Sequence, residues 1–224
     1  DRGVELKIEP DNRVFPVTDS SATIADCLKE IADATGIKVH TSSGVKSFTQ
    51  REDERWEVLT LHGQTYVTDQ LMIGAGSSKA IWDILKKLGH KIIPAVPSLF
   101  TFNSKDERIK GLSGISVPNA TVQVAASDLE ASGPLLITHW GFSGPAILRL
   151  SAWGARELND RFYRFPIMIN WIGRDEDEVL ADFNEEKKHS GKKRIGNHAH
   201  YGIPLRLWKS MVAGAGIKST ATWG

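Results

Sequence analysis

The stretch LLITHWGFSGPAILRLS, residues 135–151, contains a strand, a glycine-rich turn and the beginning of a helix in direct succession. Its apolar, partly β-branched start at Leu135–Thr138 predicts a strand. The same apolar, partly β-branched pattern recurs in three further short runs, Leu99–Asn103, Thr121–Ala125 and Phe165–Trp171. Glycines and prolines separate these runs, which predicts a small barrel or an antiparallel sheet that holds a helix, Gly144–Leu158.

The pattern changes on either side of this β-rich part, and we predict an α+β fold with three parts. Residues 1–94 mix short strands with two amphipathic helices and form a partial α/β domain. Residues 95–173 form an inserted barrel-like domain. Residues 174–224 form a helical subdomain that begins with a heavily charged helix.

The pattern predicts most of the individual strands and turns in the first part, residues 1–94. A loop at Asn12–Pro16 follows an initial strand, because the proline fixes the backbone there. Strands are predicted at Ile37–Thr41, Val45–Thr49, Trp56–Leu61 and Thr65–Ile73. The last of these ends in Gly74-Ala75-Gly76, directly before a helix at Lys79–Leu88.

Composition limits the classes of partner that the sequence favours. Of the 224 residues, 41% are hydrophobic and 25% are charged, which is typical of a globular chain. The formal net charge of +1 gives no reason to expect a nucleic acid or an anionic membrane. No apolar run approaches the roughly 20 residues that span a bilayer, and the single cysteine, Cys27, permits no intrachain disulfide. We therefore expect a cytoplasmic protein that acts on a small molecule.

Gly74-Ala75-Gly76 occupies the position where a doubly wound fold binds a nucleotide phosphate, between a predicted strand and a helix. The dinucleotide fingerprint requires a third glycine three residues later, where Lys79 stands. A phosphate-binding turn and a plain strand-to-helix connection both remain open.

Histidines and Ser143 provide the other candidate chemistry. His189, His198 and His200 lack the spacing of metal ligands, so we expect no metal and a solvated loop. His139 suits either a packed histidine or a site residue. Ser143 is predicted to cap the helix that Pro145 begins. A hydrolase that uses Ser143 and His139 is disfavoured, because the G-x-S-x-G pattern fails at Pro145.

Four segments, taken in order, resemble the aminoacetone oxidase-like (BaiN/YhiN-type) family of bacterial NAD(P)/FAD-dependent flavoprotein oxidoreductases. They are NRVFPVTDSSATIADCL, GIKVHTSSGVKSF, LGHKIIPAVPSLFTF and LLITHWGFSGPAILRLS. The resemblance implies that residues 1–94 belong to an FAD-binding domain and that the barrel and helical parts are its insert. It also implies FAD as the cofactor, with NAD(P)H as a possible electron donor, and a chain that is an internal fragment, inactive alone.

The same resemblance implies roles for particular residues. Cofactor-binding positions would be Arg13, Phe15, Pro16, Val45, Gly74, Ala75 and Gly76. The substrate cleft would be lined by Thr138, His139, Gly141, Ser143, Gly144 and Pro145. It implies no identified catalytic acid or base and no oligomeric state. A non-catalytic binding module, acting through the barrel and the helical tail, is the alternative.

Overall fold

Antiparallel strand pairing builds both units into which the chain divides, Asp1–Ile93 and Pro94–Gly224. The structure is a computed structural model that describes residues 3–10 and 12–224. Helices and antiparallel sheets occur in both units, so the predicted α+β class is confirmed. The predicted boundaries after residues 94 and 173 stay predictions.

The first unit contains two small sheets and two helices. Its elements are β1 (Leu6–Ile8), β2 (Val14–Pro16), α1 (Ser21–Ala34), β3 (Val45–Gln50), β4 (Trp56–Thr60), β5 (Thr65–Thr68) and α2 (Lys79–Lys87). β1 pairs with β2, and β3, β4 and β5 form a three-stranded meander in that order. All of these pairs are antiparallel.

Three local predictions in this unit are wrong. Asn12–Pro16 was expected as a loop, but Val14–Pro16 pairs with β1, since a proline is tolerated in a two-stranded edge. Ile37–Thr41 forms no strand, because the Ile37 N–H donates to the Ala32 carbonyl at 2.8 Å and closes the end of α1. The strand predicted over Thr65–Ile73 ends at Thr68.

The second unit contains a five-stranded sheet with four helices and two short 3₁₀ turns around it. Its strands are β6 (Phe102–Asn103), β7 (Ser116–Val124), β8 (Glu130–Ile137), β9 (Gly141–Ser143) and β10 (Ile167–Asn170). Its helical segments are the 3₁₀ turns Glu107–Ile109 and Ile195–Asn197 and the helices α3 (Pro145–Trp153), α4 (Ala155–Asp160), α5 (Glu176–Ser190) and α6 (Leu205–Gly214). The strand order is β10-β7-β8-β9-β6, so β10 and β6 are the edges.

The core of this unit lies between one face of the sheet and α3. Alternate residues of β7 and β8, among them Val122 and Leu135, are fully buried there. They meet Ile147 and Leu150, which α3 presents on one side at i and i+3. Each such side chain removed from water contributes roughly 1.5–3 kcal/mol, so this layer is the main source of the unit's stability.

Gly154 divides the helix that was predicted over Gly144–Leu158. It ends α3 and begins α4, and its Cα faces Leu129, since an added Cβ would lie 2.6 Å from that residue's Cδ1. Any side chain at residue 154 would therefore overlap the side chain of Leu129.

Gly141 allows β6 to join the sheet. Its φ of +149° lies in a region that L side chains rarely adopt, and a Cβ atom would lie 2.6 Å from the backbone nitrogen of Ser104 and closer still to the carbonyl oxygen of Phe102. Backbone at such distances cannot move aside without breaking the pairing of Asn103 with Gly141. β6 is held at the sheet edge because residue 141 has no side chain.

Gly141→Ala is expected to lower the free energy of unfolding by at least ~2 kcal/mol, since backbone strain and a backbone clash add at one position. Gly196→Ala is the matched control, because a Cβ there meets nothing within 4 Å and the backbone φ is not positive. Denaturant unfolding of both variants measures the difference. Equal losses would contradict the assigned role of Gly141.

No helix in residues 3–10 and 12–224 is long and apolar enough to cross a bilayer.

Candidate functional site

A cleft of about 1010 Å³ opens in the second unit between the two edges of its sheet. Both edge strands, β6 and β10, contribute lining residues, together with the first 3₁₀ turn and α6. Because β6 and β10 do not pair with each other, the sheet is a half-open barrel and the cleft is its opening. A concave site of this size can enclose a drug-sized organic molecule.

Aromatic rings form much of the cleft wall. Phe102 packs edge to face against Phe165 with ring centroids 5.1 Å apart, and Phe100 does the same with Tyr163 at 5.6 Å. Phe142 and Trp171 extend the wall. Rings held in this way present apolar faces and edges to a planar ligand.

Sequence reasoning missed these aromatic residues. The i, i+2 spacing of Phe100 with Phe102 was a signal, since it places both rings on one side of an extended segment. Tyr163 gave no such signal, because it lies in a turn with φ +56°. Phe100 and Tyr163 are about 60 residues apart along the chain, and only the tertiary fold brings them into contact.

Asp106 and Arg108 form the charged rim of the cleft. The Asp106 carboxylate accepts a hydrogen bond from the Arg108 backbone N–H at 2.8 Å and from its Nε at 3.0 Å. Hydrogen bonds from Arg108 lower the pKa of the Asp106 carboxyl, and the carboxylate in turn raises the pKa of the guanidinium. Asp106 is also the N-cap of the first 3₁₀ turn, so the pair anchors the backbone at this rim.

Thr138, His139 and Gly141 lie in the hairpin that connects β8 to β9. The Thr138 N–H donates to the Gly141 carbonyl at 2.8 Å, and the Gly141 N–H donates to Thr138 Oγ1 at 3.2 Å. His139 and Trp140 stand at the exposed tip with ring centroids 4.2 Å apart. The tip is a surface feature, since neither residue lines the cleft.

Ser143 does not cap α3, which corrects the prediction. Ser143 is the last residue of β9 and pairs with Leu136, while Gly144 is the N-cap with φ +98° and without a side-chain cap bond. A serine would be strained at that φ, so the cap position falls to the glycine and Pro145 takes the first helical turn. No hydrogen bond between Ser143 and His139 occurs in the part of the chain that the structure describes, and the hydrolase alternative gains no support.

The residues expected near a substrate therefore share one turn but not the cleft. Thr138, His139, Gly141, Ser143, Gly144 and Pro145 follow one another from hairpin to helix, and none of them lines it. Phe142, which sequence reasoning passed over, is the one residue of residues 138–145 that does so.

The residues expected to bind FAD lie in three separate places in the first unit. Phe15 and Pro16 belong to β2, with the Arg13 guanidinium 5.4 Å from the centre of the Phe15 ring. Val45 lies in β3, opposite Thr60. Gly74, Ala75 and Gly76 lie in the connection before α2.

This glycine turn offers little to a dinucleotide by itself. A Cβ atom at Gly74 or Gly76 would meet nothing within 4 Å, so no wall encloses the turn. The preceding strand, β5, is antiparallel to its neighbour, whereas a dinucleotide phosphate site follows a parallel strand. The 224 residues also contain no G-x-G-x-x-G sequence. The described residues alone therefore do not fit the FAD pyrophosphate.

A metal centre finds no support in residues 3–10 and 12–224, where no three His, Cys, Asp or Glu side chains are grouped as ligands. His189 instead contacts Glu185, with Nε2 and Oε1 2.8 Å apart. His200 packs among Phe183, Trp208 and Trp223.

The domain family described as "HI0933-like protein barrel and H2TH domain" matches residues 96–224. The chain belongs to this family. The family is associated with flavoprotein oxidoreductases, so the flavoprotein class inferred from sequence is confirmed at that coarse level. The barrel of the description corresponds to the half-open sheet that contains the cleft.

Three curated relatives extend the comparison. Ribosomal RNA dihydrouridine synthase of Escherichia coli (strain K12) is 29% identical over 202 residues, covering 84% of this chain and 47% of the relative. The protein of the same name from Haemophilus influenzae is 29% identical over 140 residues, covering 57% and 34%. The 3-dehydro-bile acid delta(4,6)-reductase of Clostridium scindens is 21% identical over 155 residues, covering 65% and 37%. The chain thus spans half or less of the length of each relative.

Asp106→Ala is expected to destabilise the unit by ~1 kcal/mol, because it removes an N-cap acceptor. Asp106→Asn keeps the cap and loses only the charge, so its smaller cost should depend on pH. The lowered pKa of Asp106 means that the charge stabilises fully above its ordinary value of 3.8 and ceases to do so as the pH falls through the lowered value.

Unfolding at neutral pH and at about pH 2 measures this difference. Asp128→Ala is the control, since Asp128 is exposed and makes no ion pair in the described residues. A gap between wild type and Asp106→Asn that stays constant with pH would rule out the charged pair as its origin.

Proposed function

We propose that the protein carrying this chain is an FAD-dependent reductase that adds two hydrogens across a carbon–carbon double bond conjugated with a carbonyl group. The agreement between family and relatives carries the proposal: the family is associated with flavoproteins, and both kinds of relative are named for a reduction of this type. The resemblance to the aminoacetone oxidase-like (BaiN/YhiN-type) family supports the same cofactor.

The two printed names describe related chemistry on different molecules. Dihydrouridine is uridine with two hydrogens added across the ring double bond that is conjugated with a carbonyl. A delta(4,6)-reductase of a 3-dehydro bile acid acts on double bonds conjugated with the 3-keto group. In each case one hydride and one proton enter the substrate, and we propose NAD(P)H as the source of the electrons, with FAD supplying hydride transfer when bound.

We propose uridine in RNA as the substrate, because the E. coli relative shares the larger part of this chain. The expectation of no nucleic acid rested on net charge, and the expectation of a small-molecule substrate stays a prediction. A small-molecule substrate is the competing outcome, and reduction of a small cyclic enone in preference to RNA would favour it.

The aromatic cleft is the place we propose for the planar ring of the substrate. Its walls are apolar rings, its rim carries the Asp106–Arg108 pair, and its opening lies at the sheet edge. A uracil ring or a steroid nucleus could lie against Tyr163 and Phe165, which are partly exposed in the cleft, as planar ligands do against aromatic side chains.

The activity test uses the full-length protein that contains residues 1–224. It is expected to retain FAD, to oxidise NAD(P)H in the presence of uridine-containing ribosomal RNA, and to add two hydrogens to a uridine as measured by mass spectrometry. Full-length protein without flavin would contradict the proposed class. Flavin without reduction of RNA or of a cyclic enone would favour the non-catalytic module instead.

Met168→Trp tests the cleft in the same assay. Met168 lies on β10, lines the cleft and is 55% exposed, so a larger side chain can fill the cleft without disturbing the core. We expect KM to rise about tenfold, which corresponds to ~1.4 kcal/mol of binding, with flavin content unchanged. Met72→Trp is the control, because Met72 is 94% exposed and lies outside the cleft. An unchanged KM in Met168→Trp would exclude the cleft as the substrate site.

A further inference from the structure

The net charge of +1 conceals a strong separation of charge in the last 50 residues. Residues 187–224 contain eight lysines and arginines and no aspartate or glutamate. The preceding residues, 175–186, contain seven acids and no lysine or arginine. The two groups meet inside α5, between Glu186 and Lys187, so most of this helix is acidic and its last turn and the following residues are basic.

Four cations are concentrated in one turn at this junction, which we call the basic turn: Lys187, Lys192, Lys193 and Arg194. All four side chains are exposed. The Lys193 N–H donates to the Ser190 carbonyl at 2.8 Å, so the chain folds back directly after α5 and keeps the four residues together. Lys188 lies among them but pairs with Glu185 at 2.9 Å.

In the described residues, the basic turn makes none of the close ion pairs that many other surface cations of the chain make, although Glu186 interacts with Lys193 at longer range. Within the described residues, none of its four side chains makes an ion pair within 4 Å or a side-chain hydrogen bond. A favourable interaction with the C-terminal end of the helix dipole accounts for Lys187, in the last turn of α5. It does not account for Lys192, Lys193 and Arg194, which lie beyond the helix.

The backbone of the basic turn is fixed from two sides. The Trp223 N–H donates to the Lys193 carbonyl at 3.2 Å, and the Gly224 N–H donates to the Gly191 carbonyl at 2.9 Å. On the other side, Trp208 Nε1 donates to the Ile195 carbonyl at 2.7 Å, which attaches the segment to α6. The four exposed cations therefore stand on a backbone that is already held in place, so less conformational entropy is lost when a partner binds.

The partner that suits this surface is a polyanion and not a bilayer. In α6, Leu207, Trp208 and Val212 are buried in the core and Leu205 is the large apolar side chain left exposed, so α6 has no continuous apolar face to insert into lipid. A phosphate backbone needs only exposed cations at close spacing, since it binds through charge and counterion release.

We propose that the basic turn binds the sugar–phosphate backbone of RNA and so brings a target base to the protein. The choice of RNA rests on the proposed function. The binding itself does not need flavin or turnover, because the four cations belong to this chain.

The test is fluorescence anisotropy of a labelled single-stranded, uridine-containing RNA with the 224-residue chain, over a series of salt concentrations. The variant carries Lys187→Gln, Lys192→Gln, Lys193→Gln and Arg194→Gln. Each lost phosphate contact lowers the slope of log K against log salt by about 0.7 for a single strand. We expect the slope to fall by about 3 and the affinity at low salt to fall at least tenfold.

A matched control removes the same charge from exposed lysines of the first unit: Lys38→Gln, Lys46→Gln, Lys86→Gln and Lys91→Gln. It should retain wild-type binding, as should a variant that replaces the three lysines of the basic turn by arginine. Equal losses in the two glutamine variants would overturn the proposal, because net charge alone would then explain the binding. Absence of RNA binding by the wild type would overturn it too.

Anionic phospholipid vesicles test whether the basic turn binds a lipid surface instead of RNA. Sedimentation with vesicles but no RNA binding would assign the basic turn to a lipid surface and overturn the proposal. Failure of the full-length protein to reduce uridine, with RNA binding intact, would overturn the proposed function and leave this inference standing. The two failures are therefore distinguishable.

Discussion

The close approach of two backbones at Gly141 determines how the second unit is built. β6 is only two residues long, and its place beside β9 requires that residue 141 carry no Cβ. Its position sets one side of the cleft, while β10 sets the other. The cleft exists because these two edges face one space without pairing, and so a single glycine connects the backbone geometry to the candidate site.

The architecture was predictable to the extent that local pattern determines it. The run of strand, turn and helix over residues 135–151 occurs as β8, β9 and α3, because β-branched residues, glycines and Pro145 each favour one local backbone conformation. The interrupted helix at Gly154 was not predictable in the same way. The glycine at this position is required by Leu129, a residue 25 positions earlier that only the tertiary fold brings to that point.

The candidate site was less predictable, since its geometry comes from pairs of residues that are distant in sequence. Phe102 and Phe165 meet through the strand order of the sheet, which no local pattern specifies. Ser143 shows the converse case. Residue type alone favoured a serine cap, but the positive φ at the cap position selected Gly144, because backbone conformation outweighs the hydrogen bond that a serine could make.

The net charge of the whole chain is a poor guide to the partner of one particular surface. A net charge of +1 argued against a polyanionic partner, yet the acidic residues of the first turn of α5 lie about 22 Å from the end of this 15-residue helix. That distance exceeds the screening length of about 8 Å at physiological salt. Glu185 lies close to the basic turn but is paired with Lys188 and His189, so Glu186 is the neighbouring carboxylate that offsets part of the basic charge. The local surplus, and not the sum over 224 residues, therefore decides which partner that surface attracts.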